Sequence, residues 1–205
     1  MAGYKRLSNA YELALLAEKK GLQGAFVECG VWKGGSIGIM AYIADRAKSN
    51  RKIWLFDSFE GLPEPTKEDG QGAKIYSGEK DSGKLVSIEK CVGPLEDVKK
   101  LFFSVLKLHS ENIYIGKGWF QDTLSRKKVD VGPIAILRLD ADWYESTKCV
   151  LDNLYDNVVQ RGYVIVDDYG HWEGCKKAVD EFFAKRNLKV ELRQIDYTGF
   201  YFIKS

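Results

Sequence analysis

Five short apolar runs separated by amphipathic segments constrain the fold of this 205-residue chain more than any other feature. The runs are continuous rather than alternating, as expected of strands that are covered on both faces. Helical periodicities lie between them, and this repeating order predicts a parallel sheet with helices on both sides. The runs are Ala25–Gly30, Lys52–Asp57, Asn112–Lys117, Pro133–Asp140 and Tyr163–Asp168.

Two further runs at the end of the chain, Lys189–Asp196 and Phe200–Lys204, are separated by only three residues. That gap is too short for the crossover that parallel strands need, so the two runs predict an antiparallel hairpin. Five parallel strands followed by such a hairpin are typical of the class I methyltransferase sheet. We therefore predict this Rossmann-like α/β fold, with seven strands and helices on both faces, rather than a dinucleotide-binding domain.

Length and charge narrow the classes of protein further. On a prior of about 100–200 residues per domain, residues 1–205 form a single domain, with an N-terminal helix expected at about residues 8–21. The chain has 31 basic and 29 acidic side chains, a net charge of +2. Its lysine pairs are dispersed, which argues against nucleic acid or an anionic membrane as a partner.

The cysteines and the N-terminal residues bear on the cellular compartment. Four cysteines are present without a C-x-x-C pair, which argues against a disulfide scaffold or a structural zinc site. No run of about 18 apolar residues predicts a transmembrane helix, and residues 1–9 lack the apolar core of a signal peptide. We expect reduced thiols and a cytoplasmic location.

One long segment, residues 61–92, interrupts the alternation of strands and helices. It contains five glycines and many charged residues. A long irregular insertion in a compact domain is usually either a functional lid or a disordered segment. This insertion follows the second strand, at the ligand edge of the sheet, and we predict a lid.

The loop after the first strand reads ECGVWKGGS over residues 28–36. A glycine turn that leads into a helix binds anions through free backbone N–H groups. Trp32 stands where the dinucleotide fingerprint has its second glycine, which argues against a pyrophosphate cradle. A nucleoside with an amino-acid tail, such as S-adenosylmethionine, fits better. The alternative is a purely structural glycine turn.

Two later loops carry candidate contacts for the same ligand. Asp57 ends the second strand, where a carboxylate can accept hydrogen bonds from both hydroxyls of a ribose; the alternative is a turn cap. Trp119 and Phe120 follow the third strand and could stack on an adenine. Alternatively, both rings belong to the core of the helix that follows.

Three aspartates behind neighbouring strands give the strongest chemical signal. Asp140 ends the fourth apolar run, and Asp167 and Asp168 end the fifth. The spacing between them is about one strand–helix–strand unit, so we expect the three carboxylates to meet at one edge of the sheet. Their repulsion would raise their pKa values, and a bound Mg²⁺ or Mn²⁺, which prefers oxygen ligands, removes that penalty. The alternative is separate caps and ion pairs, for instance with Arg138.

Five segments together resemble the macrocin O-methyltransferase family: VECGVWKGGS, LFDSFEGLPEP, GKGWFQDTL, LRLDADWYEST and VIVDDYGHWEGCKKAVDEF. The resemblance extends from about Leu13 to Ile203. Members of that family are metal-dependent and S-adenosylmethionine-dependent enzymes that methylate sugar hydroxyls on macrolide and aminocoumarin antibiotics. The resemblance therefore implies both a fold and an activity for this chain.

The resemblance also implies site residues. It implies cofactor contacts at Glu28, Gly30, Asp57, Ser58, Gly118, Trp119 and Phe120, and Val31 and Ser36 of the glycine turn complete the predicted cofactor site. It implies a metal site of Asp140, Asp167 and Asp168.

The predicted activity is metal-dependent O-methylation of a hydroxyl on a sugar or a glycosylated small molecule, with S-adenosylmethionine as the methyl donor. A catechol-type O-methyltransferase acting on a phenolic diol, a nicotinamide-dependent reductase and a non-catalytic S-adenosylmethionine-binding protein are the alternatives. We expect a small-molecule acceptor as the partner, no nucleic acid and no membrane. The sequence is compatible with a homodimer.

The general base is the least determined residue. Related catechol methyltransferases carry a lysine base three residues after the first metal aspartate, where this chain has Trp143. Asp140 is the predicted metal ligand and candidate base. The alternatives are His171, because histidine titrates near neutral pH, and Asp142, which could instead cap a helix beginning near Ser146.

Overall fold

The computed structural model describes residues 3–205. Its strands are β1 Ala25–Cys29, β2 Ile53–Asp57, β3 Ile113–Lys117, β4 Ile134–Leu139, β5 Val158–Val166, β6 Arg193–Gln194 and β7 Phe200–Ile203. Its helices are α1 Tyr4–Lys19, α2 Gly35–Ala47, α3 Gly70–Tyr76, α4 Leu95–Lys99, α5 Phe120–Val131, α6 Tyr144–Leu154 and α7 Glu173–Lys185. A π-helical segment, Lys100–Val105, continues α4.

The seven strands form one sheet in the order β3-β2-β1-β4-β5-β7-β6. Strands β1 to β5 are parallel, and β7 runs antiparallel to both β5 and β6. The predicted class I methyltransferase sheet is therefore confirmed. In this order β1 and β4 are adjacent at the centre, so the loops after them meet above the carboxyl edge.

Both faces of the sheet are covered, which explains why the strands are continuously apolar. One face packs against α1, α2 and α4 through buried residues that include Phe26 and Ile136. The other packs against α5, α6 and α7 through residues that include Val27 and Leu137. Burial of one such side chain contributes about 1.5–3 kcal/mol, so these two layers hold the strand ends in place.

The last hairpin is shorter than predicted. The run expected over residues 189–196 pairs only through Arg193–Gln194. Val190 and Leu192 instead pack against the hydrophobic layer that α7 shares. Because β6 is an edge strand, no second neighbour holds its remaining backbone in the ladder. The first helix also differs, since it begins at Tyr4 and ends at Lys19.

The insertion, residues 61–92, is structured. It contains a short 3₁₀ turn at Lys67–Asp69 followed by α3, and a backbone bridge joins Pro63 to Ser87. Ala73 and Ile88 pack with Trp143 in a small hydrophobic cluster against the sheet edge. The predicted lid mobility stays a prediction, but the alternative of a disordered segment does not describe this structure.

No helix within residues 3–205 has both the length and the apolar character needed to cross a bilayer.

Candidate functional site

A cavity of about 300 Å³ opens at the carboxyl edge of the sheet, within the range of small-molecule sites. The insertion contributes residues 61–63 and Cys91 to its wall, and α1 contributes Arg6 and Leu7. All nine residues predicted to contact the cofactor line it: Glu28, Gly30, Val31, Ser36, Asp57, Ser58, Gly118, Trp119 and Phe120. The fold therefore gathers these residues from loops after β1, β2 and β3, while their contacts with a cofactor stay predictions.

Gly30 has a role that the sequence did not reveal. Its φ is +87°, and a Cβ on it would lie 1.7 Å from the carbonyl oxygen of Asp140. The Asp140 N–H also donates to the Cys29 carbonyl at 2.8 Å. A glycine is required here because the loop after β1 touches the loop after β4. Gly30 thus allows close contact between the loop after β1 and the loop that carries Asp140.

Asp57 joins two loops of the site. Its Oδ2 accepts hydrogen bonds from the backbone N–H groups of Val31 (2.6 Å) and Trp32 (2.9 Å), and its Oδ1 accepts one from Phe59 (2.6 Å). The turn-cap alternative therefore describes part of what Asp57 does. A carboxylate oxygen can accept more than one hydrogen bond, so a ribose contact is compatible with this geometry.

Arg138 is the charged centre beneath the cavity. Its side chain is buried on β4 and donates to Glu28, to Asp167 and, at 2.9 Å, to Asp140. The second oxygen of Glu28 accepts from the Ile37 N–H at 3.0 Å. Glu28 lines the cavity, but both its oxygens are used within the protein, so its first role is to join β1 to α2.

Asp167 is bound by two arginines. Arg138 donates to its Oδ1, and Arg6, from the first turns of α1, donates to its Oδ2. Arg6 also donates to Asp196 at 2.9 Å and to Thr198. The sequence analysis missed Arg6, because nothing in the sequence connects it with a strand end 161 positions away.

Three carboxylates converge at the mouth of the cavity: Asp140, Asp142 and Asp168 each offer one oxygen, all within 4.8 Å of one another. Asp142 belongs to this cluster and Asp167 does not, while the metal site of Asp140, Asp167 and Asp168 stays a prediction. The two arginines hold Asp167 in an ion-paired arrangement, as the alternative with Arg138 anticipated. Asp140 and Asp168 are the predicted members that the structure brings together.

Asp168 is the carboxylate of this cluster that has, within residues 3–205, a buried oxygen without a hydrogen-bond partner. Its side chain is buried, and its Oδ2 has no hydrogen-bond partner among the described residues. Burial, followed by the neighbouring charges of Asp142 and Asp140, holds its pKa well above the usual range. The three carboxylates repel one another, and one of them has a buried oxygen without a partner in the described part of the chain. Such a group of oxygen ligands is suited to bind a divalent cation.

Asp142 occupies a strained position at the same edge. Its φ is +55°, and the Trp143 N–H donates to the Ala141 carbonyl at 2.6 Å, which forms a tight γ-turn. This conformation is uncommon outside functional sites. Burial and the adjacent Asp140 raise the pKa of Asp142 to about 8.

Asp142 does not cap α6. The helix begins at Tyr144, and the Tyr144 N–H donates to Asp69 of the insertion at 2.5 Å. A Cβ on Gly174 would lie 1.9 Å from Asp69 Oδ1. Asp69 of the insertion therefore caps α6. Because Gly174 of α7 has no side chain, there is room for the Asp69 carboxylate.

His171 lies outside the cavity. It is exposed, its ring packs against those of Trp172 and Tyr197, and it is not part of the cavity wall. Its backbone N–H donates to the Asp168 carbonyl, so the turn after β5 directs the imidazole towards the surface. The prediction of His171 as an alternative base has no support in this placement.

Comparisons with known proteins show the family and agree with the fold. A family model described as macrocin-O-methyltransferase (TylF) matches residues 1–204. The demethyldecarbamoylnovobiocin O-methyltransferase of Streptomyces niveus is 38% identical over 203 residues, which cover 98% of this chain and 74% of that protein. The mycinamicin III 3''-O-methyltransferase of Micromonospora griseorubida is 30% identical over 209 residues, covering 100% and 78%.

Solved structures of methyltransferases show the same fold. The O-methyltransferase NovP superposes with a TM-score of 0.84 at 37% identity, covering 99% of this chain and 81% of that one. A calicheamicin methyltransferase, CalS11, superposes with a TM-score of 0.72 at 20% identity, covering 96% and 78%, and supports the fold alone.

Proposed function

Because this chain belongs to the macrocin O-methyltransferase family, we propose that it transfers a methyl group from S-adenosylmethionine to a hydroxyl of a sugar or a small glycosylated molecule. The family match over residues 1–204 carries this proposal. A relative of Streptomyces olivaceus, 34% identical over 97% of this chain and 73% of its own length, is named as a 4'-O-methyltransferase of a rhamnosyl tetracenomycin. The family match favours methyl transfer over a nicotinamide-dependent reduction.

The cofactor site that we propose lies between the glycine turn and the loop after β3. Asp57 and Ser58 would face the ribose, and Gly118, Trp119 and Phe120 would face the adenine. Asp57 supports this assignment because it already holds the amides of Val31 and Trp32 in place. Preorganised loops of this kind reduce the entropy lost when a ligand binds.

We propose that Asp140 and Asp168 hold a Mg²⁺ or Mn²⁺ ion. The support is the cluster of three carboxylates and the unpartnered Oδ2 of Asp168. Mg²⁺ is usually held by one or two carboxylates and several waters, so Asp167 is not needed as a ligand. When bound, such an ion lowers the pKa of a coordinated hydroxyl.

Asp142 is the residue that we propose as proton acceptor, in place of Asp140. Its pKa, raised to about 8 by burial and by Asp140, is well matched to proton removal near neutral pH. Asp140, by contrast, accepts a hydrogen bond from the buried Arg138 at 2.9 Å. That hydrogen bond occupies one of the two carboxylate oxygens of Asp140.

The experiment is a methylation assay with S-adenosylmethionine and two acceptor panels, neutral glycosides and phenolic diols, with products read by mass spectrometry. We expect a gain of one methyl group on a glycoside, loss of activity in a chelator, and recovery with Mg²⁺ or Mn²⁺. Asp168→Asn is the matched inactive control. Methylation confined to the phenolic diols would overturn the sugar acceptor, and full activity in the chelator would overturn the ion.

The cytoplasmic location and the homodimer stay predictions. Cell fractionation tests the first, and light scattering of the purified protein tests the second.

A further inference from the structure

Three aromatic side chains pack together behind the carboxylates, and we call them the aromatic cluster: Tyr76, Trp143 and Trp172. The centroids of the two indoles are 4.9 Å apart, and the Tyr76 ring lies 5.4 Å from Trp172. Tyr76 belongs to the insertion, whereas Trp143 precedes α6 and Trp172 precedes α7. The cluster therefore joins three separate parts of the chain.

Both tryptophans of the cluster contact the segment that carries Asp142. The Nε1–H of Trp172 donates to Asp142 Oδ1 at 3.0 Å. Trp143 closes the γ-turn at Asp142 with its backbone N–H, and its side chain is almost completely buried. The Trp172 indole thus holds the carboxylate, and the Trp143 backbone N–H closes the turn that carries it.

The insertion in turn contacts the indoles of both Trp143 and Trp172. The Trp143 Nε1–H donates to the Pro63 carbonyl at 3.0 Å, and Tyr76 covers Trp172. Pro63 also lines the cavity. A chain of direct contacts therefore connects the docked insertion to the Asp142 carboxylate.

Asp142 needs such support for a physical reason. Asp140 and Asp168 lie beside it with the same charge, and like charges drive carboxylates apart. Its left-handed backbone is also unfavourable without surrounding contacts. The hydrogen bond from the Trp172 indole gives the Asp142 carboxyl a fixed donor and so a defined orientation.

We propose that Trp172 is a positioning residue for methyl transfer: its indole N–H orients Asp142, and the docked insertion keeps that indole in place. This inference rests on the proposed function, in which the carboxylate cluster that includes Asp142 lies at the site of methyl transfer. Trp172 is not in the cavity wall, so it acts through Asp142 and not on the substrate.

The first test uses the indole N–H resonances of the protein and needs no acceptor. Trp172→Phe identifies the Trp172 signal among the five tryptophans. We expect Asp142→Asn to move that signal, because the carboxyl acceptor of the indole hydrogen bond has been replaced by an amide. The Trp54 signal is the internal reference, since the Trp54 Nε1 is buried without a hydrogen-bond partner among the described residues. We expect Tyr76→Ala to move the Trp172 signal as well.

The second test is kinetic. With the acceptor on which the wild type is active, Trp172→Phe is expected to lower kcat at least tenfold while the Kd for S-adenosylmethionine stays within twofold. Trp54→Phe is the matched control, because it removes an indole N–H that has no partner, and its kcat should stay within twofold of wild type.

A Trp172 signal that is unchanged in Asp142→Asn, or a Trp172→Phe variant with wild-type kcat, would overturn the inference. Failure of the wild type to methylate any glycoside would overturn the proposed acceptor instead. The resonance experiment separates the two failures, because it reports the Trp172–Asp142 contact in the absence of turnover.

Discussion

Arg6, in the first turns of the N-terminal helix, donates a hydrogen bond to Asp167 at the carboxyl end of the fifth strand. The same carboxylate accepts from Arg138 on the neighbouring strand. Two guanidinium groups therefore balance the charge of Asp167 without a metal, whereas Asp168, the next residue, has a buried oxygen with no partner in residues 3–205. Adjacent aspartates of one motif thus have different surroundings, and we propose different functions for them.

The first prediction separates these two functions. Asp167→Asn should lower the free energy of unfolding by about 1.5–3 kcal/mol, because Arg138 and Arg6 each lose a charged hydrogen-bond partner. Asp168→Asn should weaken Mn²⁺ binding by about tenfold or more and should leave the metal-free protein at least as stable, since burial and the neighbouring carboxylates already disfavour the ionised form of Asp168. Denaturant unfolding and Mn²⁺ titration by electron paramagnetic resonance measure both quantities. The opposite pattern would restore Asp167 as the principal ligand.

The second prediction concerns pH. The folded pKa of Asp142 is raised to about 8 from an ordinary value of 3.8, so between these values the folded protein keeps a proton that the unfolded chain has lost. Stability of the metal-free protein should therefore be highest at the acid end of this interval and fall as the pH rises towards 8. Asp142→Asn should flatten the fall. Saturating Mg²⁺ should also reduce it, because the ion binds the ionised carboxylates. A metal-free stability that rises from pH 5 to pH 8 would contradict the prediction.

The third prediction concerns Arg138. Arg138→Met should cost about 3–5 kcal/mol of stability, because the buried carboxylates of Glu28 and Asp167 lose their counter-ion. Arg138→Lys should recover only part of the loss, since an ammonium cannot bond three carboxylates through a planar fork. Lys99→Ala is the control: its pair with Glu96 is on the surface, and its loss should cost about 0.5 kcal/mol or less. Equal losses for Lys99→Ala and Arg138→Met would show that the buried pairs contribute little.

The fourth prediction concerns the insertion. Residues 61–92 should exchange amide hydrogens rapidly without ligands and become protected when S-adenosylhomocysteine and an acceptor bind. Asp69→Ala should accelerate exchange in the insertion and in the first turn of α6, and should cost about 1–2 kcal/mol through loss of the helix cap. Glu68→Ala, at the exposed pair with Lys177, is the matched control. Protection that is high and equal in both ligand states would make the insertion a fixed part of the domain.

The fifth prediction concerns the cofactor. Asp57→Ala should weaken S-adenosylhomocysteine binding by about 1.5–3 kcal/mol, the value of a hydrogen bond to a charged group. Calorimetry measures the affinity, and circular dichroism checks that the loops at Val31 and Phe59 still allow folding. An unchanged affinity in a folded variant would reduce Asp57 to a turn cap.

The sequence was sufficient to predict the sheet, because a strand buried on both faces is recognised from the apolar residues of a short segment. Residues covered on both faces are mostly apolar, as in β1 and β4 apart from the ion-paired Glu28 and Arg138, and the three-residue gap before Phe200 requires a hairpin. It was also sufficient to bring Asp140 and Asp168 together, because parallel strands end at the same edge. The length of β6 could not be predicted in this way, since its pairing depends on whether Val190 and Leu192 join the ladder or pack under α7.

The sequence by itself therefore determined the order of strands, the glycine turn and the edge at which the carboxylates lie. Only the tertiary structure decided which carboxylate receives which partner: Arg6 pairs with Asp167, Trp172 orients Asp142, and His171 is directed to the surface. The physical reason is the range of the interactions. Hydrophobic periodicity is set by neighbours a few positions apart, whereas the hydrogen bonds that orient a buried carboxylate come from elements 30 to 161 positions away.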